Sequence, residues 1–334
     1  GGKKYFVEKS IYYFNKLRSL YKLAFFEKPI EIYKMQYFLN ISNTSLNQLK
    51  IDIKNDFLHR AGGVIQAIQT STTAKSKEKA TQVNNALNGV LILVKDSFTN
   101  MNGLDDEDKA IMALIVQYIF TCLSIENRHS VWNYNSIDFS RRIGELWERF
   151  CSVAWDYSTI ATRFTPPNFS VITTAFLNKA QTLSAGCPQQ QEIIDLVNDL
   201  LQIIGTINLK EDEMFHVDGT RYVVDFKSGF GSNEKGNMLR LQAVSHAYKR
   251  FDPHTKLLLL VRQNTNNNYL NVLRSSQTWD IYTGTQTYQK IESLTDINIL
   301  WVVQNVVDFR NDLSPSFLNY LQTTAGTPIN YLDW

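Results

Sequence analysis

Cysteine is scarce in this 334-residue chain. Cys122, Cys151 and Cys187 stand far apart, and none forms a CxxC pair. An odd count at such spacing argues against a disulfide framework and fits a reducing, cytoplasmic setting. No secretory signal is read at the start, and Gly1-Gly2 is taken as a processed or engineered start. A membrane-spanning run is also missing. Ala110–Ile125 is very apolar but falls short of the roughly 20 residues a bilayer needs. It contains Gln117 and follows Asp105-Asp106-Glu107-Asp108, so it reads as a buried helix with an acidic first turn, and no membrane partner is expected. The five histidines show no HExxH or other metal-ligand spacing. No GxSxG, no dinucleotide-binding glycine pattern and no internal repeat appear.

The formal net charge is only +2, so the molecule as a whole is no electrostatic sponge for nucleic acid. Residues 1–60 are locally basic, with eleven Lys/Arg against five Asp/Glu. Two readings stay open for them: solvated helix faces, or an arm that contacts phosphates. The apolar share of 44% and charged share of 20% are those of a globular protein with one large or two modest domains.

Apolar periodicity makes the first ~130 residues all-helical. The stretches are 4–40, 44–70 as a pair broken near Gly62-Gly63, 80–99 and 105–125, with a loop over Thr70–Lys79. From Ser140 to Tyr157, Ile143, Leu146, Trp147, Phe150 and Ala154 share one helical face. Helices follow over 171–183 and from Pro188 to Gly205, the latter with Ile193, Ile194, Leu196, Val197, Leu200, Leu201 and Ile204 inward. Strands then flank the turn Asp218-Gly219, a strong hairpin signal. Met238–Arg250 reads as a helix and Lys256–Gln263 as a buried strand. Tyr269–Leu273, Trp279–Thr283 and Ile297–Val303 read as short strands, and the tail from Asp312 as irregular or briefly helical. The expected class is α/β, a mixed sheet flanked by helices. A helical region is expected over 1–135. The core runs over 136–334, with a helical insert at about 165–206.

The chemistry concentrates at Tyr222-Val223-Val224-Asp225-Phe226-Lys227-Ser228-Gly229, a buried strand ending in Asp-x-Lys. Residues two apart on a strand share a face, so Asp225 and Lys227 project side by side. Such charges are costly at a sheet rim unless they pair, bind or react. If Asp218-Gly219 is a two-residue turn, Asp225 stands opposite Asp212, about 5 Å away. That is close enough for both carboxylates to share a divalent cation. Asp218 is the alternative, at the far end of the hairpin. His216 would share a strand face with Asp212. The segment Ser228–Asn237 is small, polar and glycine-bearing but lacks the Lys-Ser/Thr ending of a P-loop. Ser228, Ser232, Asn233, Lys235, Asn237 and Arg240 are its candidate phosphate or base-edge contacts, against an ordinary strand-to-helix connection.

With these residues the chain resembles the PD-(D/E)XK nuclease superfamily, and type II restriction endonucleases within it, over roughly residues 138–263. Asp225-Phe226-Lys227 matches the (D/E)XK element, while no Pro-Asp supplies its first half. Gly144-Glu145-Leu146-Trp147-Glu148-Arg149-Phe150 matches the helical glutamate motif, pointing to Glu148 with Glu145 as alternative, and Gln242 resembles a helical glutamine of some relatives. The resemblance implies a restriction-endonuclease-like core and a Mg²⁺-dependent, sequence-specific endonuclease acting on double-stranded DNA. Its products carry 5′-phosphate and 3′-hydroxyl ends. Asp212, Asp225 and Glu148 serve the metal and Lys227 the attacking water or the phosphate. It also implies a prokaryotic homodimer, a helical region over 1–135 that serves dimerisation or DNA embrace and, in restriction-modification, a cognate DNA methyltransferase. The alternatives are a repair, recombination or phage nuclease of the same superfamily, or a non-catalytic nucleic-acid-binding protein on a degenerate nuclease fold.

Overall fold

A computed structural model describes residues 46–99, 106–229, 235–266, 268–324 and 329–334. The expected helix over 4–40 and the basic excess of its lysines lie outside them. The chain divides into two compact units, one of residues 1–159 with 291–334, the other of residues 160–290.

Four long helices build the described part of the first unit: α1 (Leu46–Thr70), α2 (Ser76–Thr99), α3 (Asp106–Val131) and α4 (Ser136–Asp156). In α1 the residues Leu49, Ile53, Phe57, Ala61 and Ile65 recur every four positions, and all are buried. That continuous row carries the helix through Gly62 and Gly63, where a break was expected. The loop expected over Thr70–Lys79 shrinks to the residues between α1 and α2. Helix α3 is longer than its apolar core suggested. Its Lys109–Val131 segment is long and apolar enough to cross a membrane, yet 89% of its most apolar window is buried inside the protein. It packs against α1, α2 and α4, so it needs apolar side chains all round. Helix α4 starts at Asn135, whose side chain accepts the Asp138 N–H at 2.8 Å. The five residues expected on its inner face are all buried.

The C-terminal stretch belongs to this unit as well. The Lys50 ammonium donates to Asp312 at 2.6 Å and to the Val306 carbonyl at 3.2 Å. The Tyr118 hydroxyl donates to Asp312 at 2.7 Å and accepts the Asp308 N–H at 2.9 Å. These bonds, and the packing of α4 on α3, draw the division at 159/160 and 290/291 instead of at residue 135.

The second unit holds a five-stranded mixed sheet in the order β1 (Thr162–Arg163), β2 (Glu213–Val217), β3 (Thr220–Lys227), β4 (Lys256–Val261), β5 (Asp280–Thr283). Strands β1, β2 and β3 pair antiparallel, and β3, β4 and β5 pair parallel. Parallel neighbours need crossovers, which α7 (Lys235–Phe251) and α8 (Asn268–Ser276) supply. This demand explains why Tyr269–Leu273, expected as a strand, is helical. Leu270 and Leu273 are buried three residues apart, and so short a run does not reveal its period alone. Strand β4 is buried from Leu257 to Val261, as its unbroken apolar run requires. One core of this unit joins Val223, Leu257, Leu259 and Val261 to Met238, Leu241, Val244 and Tyr248 of α7.

Two helices, α5 (Phe169–Leu183) and α6 (Gln190–Ile204), lie between β1 and β2 in sequence. The apolar face of α6 was expected inward, and the structure corrects this: none of its residues is buried. Ile194, Val197 and Leu201 are half-buried, while Ile193, Leu196, Leu200, Ile203 and Ile204 are exposed. A helical period shows which face is apolar, not what covers it.

After β5 the chain continues as α9 (Thr285–Thr295), α10 (Ile299–Asn305), α11 (Phe309–Asp312) and α12 (Pro315–Thr323). The strand expected over Ile297–Val303 is thus a helix, with Ile299 and Val302 buried one turn apart.

Candidate functional site

The site grows out of the β2–β3 hairpin. Asp218 and Gly219 both take positive φ, 49° and 74°, as a two-residue turn between twisted strands requires. The turn fixes the register from Val217↔Thr220 to Glu213↔Val224. Continuing that ladder brings Asp212 to the level of Asp225, as the sequence implied. The Asp212 carboxylate accepts the Phe226 N–H at 2.6 Å. Asp218 stays at the turn, roughly 20 Å of strand away from Asp225.

Asp225 is buried, with 1% of its side chain exposed. Lys227 donates one ammonium proton to its Oδ1 and another to the Phe226 carbonyl at 3.0 Å. The period-two argument therefore holds at contact distance. The other oxygen, Oδ2, accepts from Arg240 Nη2 at 2.6 Å. Arg240 Nη1 donates to Glu211 Oε1 at 2.6 Å, so one guanidinium clamps two carboxyl groups. Lys227 and Arg240 keep 17% and 37% of their side chains exposed, which leaves the cluster open to solvent.

The charges are unequal. Glu211, Asp212 and Asp225 are three acids facing two cations. Burial, then the hydrogen bond and charge of Asp225, push the Glu211 carboxyl up to about 8, against the pull of Arg240. Burial opposes the charge of Asp225 too, but Lys227, Glu211 and Arg240 outweigh it and hold its pKa low. The proton of this pair therefore resides on Glu211. Desolvation and the Asp225 charge raise Asp212, although the residue keeps an exposed edge where solvent weakens the effect. Burial works against the charge of Arg240, yet Glu211 and Asp225 raise its pKa.

Glu148 lies on α4 in the first unit, half-buried, and Glu145 is exposed beside Arg142 at 3.4 Å. Ser228 is no free hydroxyl, because its Oγ accepts from Arg262 at 2.7 Å. Ser232 and Asn233 lie outside the described residues. Lys235 and Asn237 are exposed at the start of α7. Arg240, read as a phosphate contact, is engaged by carboxylates instead. Gln242 is half-buried on α7, and the Tyr248 hydroxyl donates to the Leu209 carbonyl at 2.6 Å. His216 packs on the Phe164 ring. Sequence reasoning missed Glu211. Its signal was the triplet Glu211-Asp212-Glu213, in which only the residue opposite Asp225 was weighed.

Among the described residues no three His, Cys, Asp or Glu side chains converge into a ready metal cage. Comparison with family models, with curated proteins and with solved structures matches none to this chain, so the function is argued from this cluster.

Proposed function

We propose that this chain is a Mg²⁺-dependent DNA endonuclease of the PD-(D/E)XK superfamily, acting at a short double-stranded sequence as type II restriction enzymes do. The single observation that carries the reading is the end of β3. There a buried Asp225 and a solvent-reachable Lys227 meet Glu211 and Asp212 at the mouth of a hairpin. A mixed sheet in which such a hairpin feeds parallel strands is in keeping with a restriction-endonuclease-like core.

The donor set suits the metal. Glu211, Asp212 and Asp225 offer oxygen only, and Mg²⁺ binds through one or two carboxylates plus waters and substrate phosphates instead of a full protein cage. A carboxyl pair that has to share a proton is also short of positive charge. Asp225 and Asp212 would hold the ion, with Glu211 beside them. When bound, Mg²⁺ supplies Lewis-acid polarisation of the phosphate and a more acidic water. Lys227 contributes a donor that orients the attacking water or a phosphate oxygen and offsets charge developing on it. Arg240 orients Glu211 and Asp225. A restriction role adds a homodimer, one active site per strand, and a DNA methyltransferase as functional counterpart.

One observation favours a second reading. Lys227 and Arg240 already occupy both oxygens of Asp225, as they would in a non-catalytic nucleic-acid-binding protein on the same fold. Incubation of the protein with long unmodified phage DNA, in Mg²⁺ or EDTA and beside Lys227→Ala, separates the readings. Discrete fragments that need both Mg²⁺ and Lys227 are expected. A smear with the same dependence moves the proposal to a repair, recombination or phage nuclease. Metal-independent binding without cleavage on several DNAs replaces it with the binding protein.

A further inference from the structure

Helix α6 carries two apolar rows. One, Ile194, Val197 and Leu201, is half-buried, and α6 packs beside α5. The other, Ile193, Leu196, Leu200 and Ile203, is exposed, with Leu196 at 61% and Ile203 at 81%. At about 100° per residue the two rows lie on adjoining sides of the helix. With Ile204 the outer row exposes on the order of 500 Å² of aliphatic surface, near the upper end for the largest patch on a typical monomer. Each partner of a standard interface contributes about 800 Å², a little over half of it apolar, so this one row is enough to centre such an interface.

The pattern of the row identifies the occupant. Its spacing is three, four, three, and its order Ile-Leu-Leu-Ile reads the same from either end. Two copies of α6 laid antiparallel about a two-fold axis near Asn198 set Ile193 against Ile203 of the partner subunit. The same axis sets Leu196 against Leu200 of the partner subunit. A two-fold interface has to be self-complementary in this way, residue i meeting j while j meets i. We infer that α6 is a homodimerisation helix that pairs antiparallel with α6 of a second copy of this chain. The inference stands on α6 alone and does not depend on the nuclease reading.

Charge makes the pairing distinguishable from other occupants. The helix carries Glu192, Asp195 and Asp199 and no Lys or Arg. The two-fold axis places Asp199 near Asp199 of the partner subunit on the same flank, so the dimer carries like-charge repulsion that salt screens. A basic partner on this face would show the opposite salt response.

Sedimentation equilibrium of the full chain under reducing conditions, from about 1 to about 100 μM, tests this. The wild type is expected to dimerise, more tightly at high salt and in Asp199→Asn. Leu196→Glu/Leu200→Glu is expected to weaken the dimer at least about tenfold with unchanged helical circular dichroism, since both sites are exposed. Ile203→Lys serves as an independent variant. A wild type that stays monomeric throughout overturns the inference. A dimer indifferent to the double variant, or one that loosens with salt, overturns it as well.

Discussion

Two carboxylates, Asp312 in the helical unit with 17% of its side chain exposed and Asp225 in the sheet unit with 1%, are each met by a lysine, and they differ in how the charge is closed. Asp312 has Lys50 and the Tyr118 hydroxyl on one oxygen, and that hydroxyl accepts the Asp308 N–H in turn. Among the described residues one cation pairs with this carboxylate, and Lys50 is only 7% exposed. Asp225 lies among two further acids and two cations, and its cations reach solvent. The first arrangement ties the C-terminal stretch to α1 and α3. The second balances its charge only through a proton on Glu211, at an open edge where a cation can take that proton's place. The same residue types thus serve as a clamp in one unit and as a candidate site in the other.

The comparison breaks first on stability. Lys50→Met removes the ammonium paired with the Asp312 carboxylate and leaves that largely enclosed acid the Tyr118 hydroxyl, at a cost of about 3 kcal/mol. Lys227→Met leaves Asp225 its Arg240 partner and costs about 1–2 kcal/mol. Urea unfolding of both variants beside the wild type reads the difference. Equal costs would mean that Asp225 sits in a structural clamp too, and the functional reading of its lysine would lose its physical basis.

Arg240→Met sharpens the contrast within the sheet unit. The guanidinium stands in for positive charge between Glu211 and Asp225. Its loss should lower the stability without metal by about 1–3 kcal/mol, before solvent screening at this partly exposed side chain is discounted, and the unfolding temperature should fall with it. Mg²⁺ should then raise that temperature further than it does in the wild type, because the pair is left short of a cation. A thermal melt with and without Mg²⁺ measures both. If Mg²⁺ stabilises neither protein, the carboxylates do not form a metal site.

What the sequence made legible follows from local rules. Asp218-Gly219 dictates a two-residue turn, the turn dictates a register, and period two then joins Asp225 to Lys227 and brings Asp212 alongside. The inner face of α4 was legible for the same reason. Glu211 and Arg240 were not, since their meeting depends on how α7 lies against the sheet, 29 residues along the chain. Nor was the outward face of α6, because amphipathicity does not name what covers a helix. The helices at Tyr269–Leu273 and Ile297–Val303 were hidden by length: runs this short fit either period until the parallel strands demand a crossover.

The smallest expected effect gives the helical unit a pH handle. His129 packs against the rings of Phe317 and Tyr320, and its Nδ1 accepts the Tyr134 N–H at 3.3 Å. An acceptor nitrogen there has to be unprotonated. Burial, followed by the charge of Arg128, lowers the pKa of this imidazole from its ordinary 6.5. The folded chain therefore binds fewer protons than the unfolded one below that value. The stability that His129 contributes is complete above pH 6.5 and is lost as the pH falls through the folded pKa. His129→Asn keeps an acceptor at the Nδ1 position without a titrating group. Its overall stability should drop with the lost ring packing, while its urea midpoint should fall less steeply than that of the wild type from neutral pH into mild acid. Parallel slopes for the two proteins would show that acid acts elsewhere.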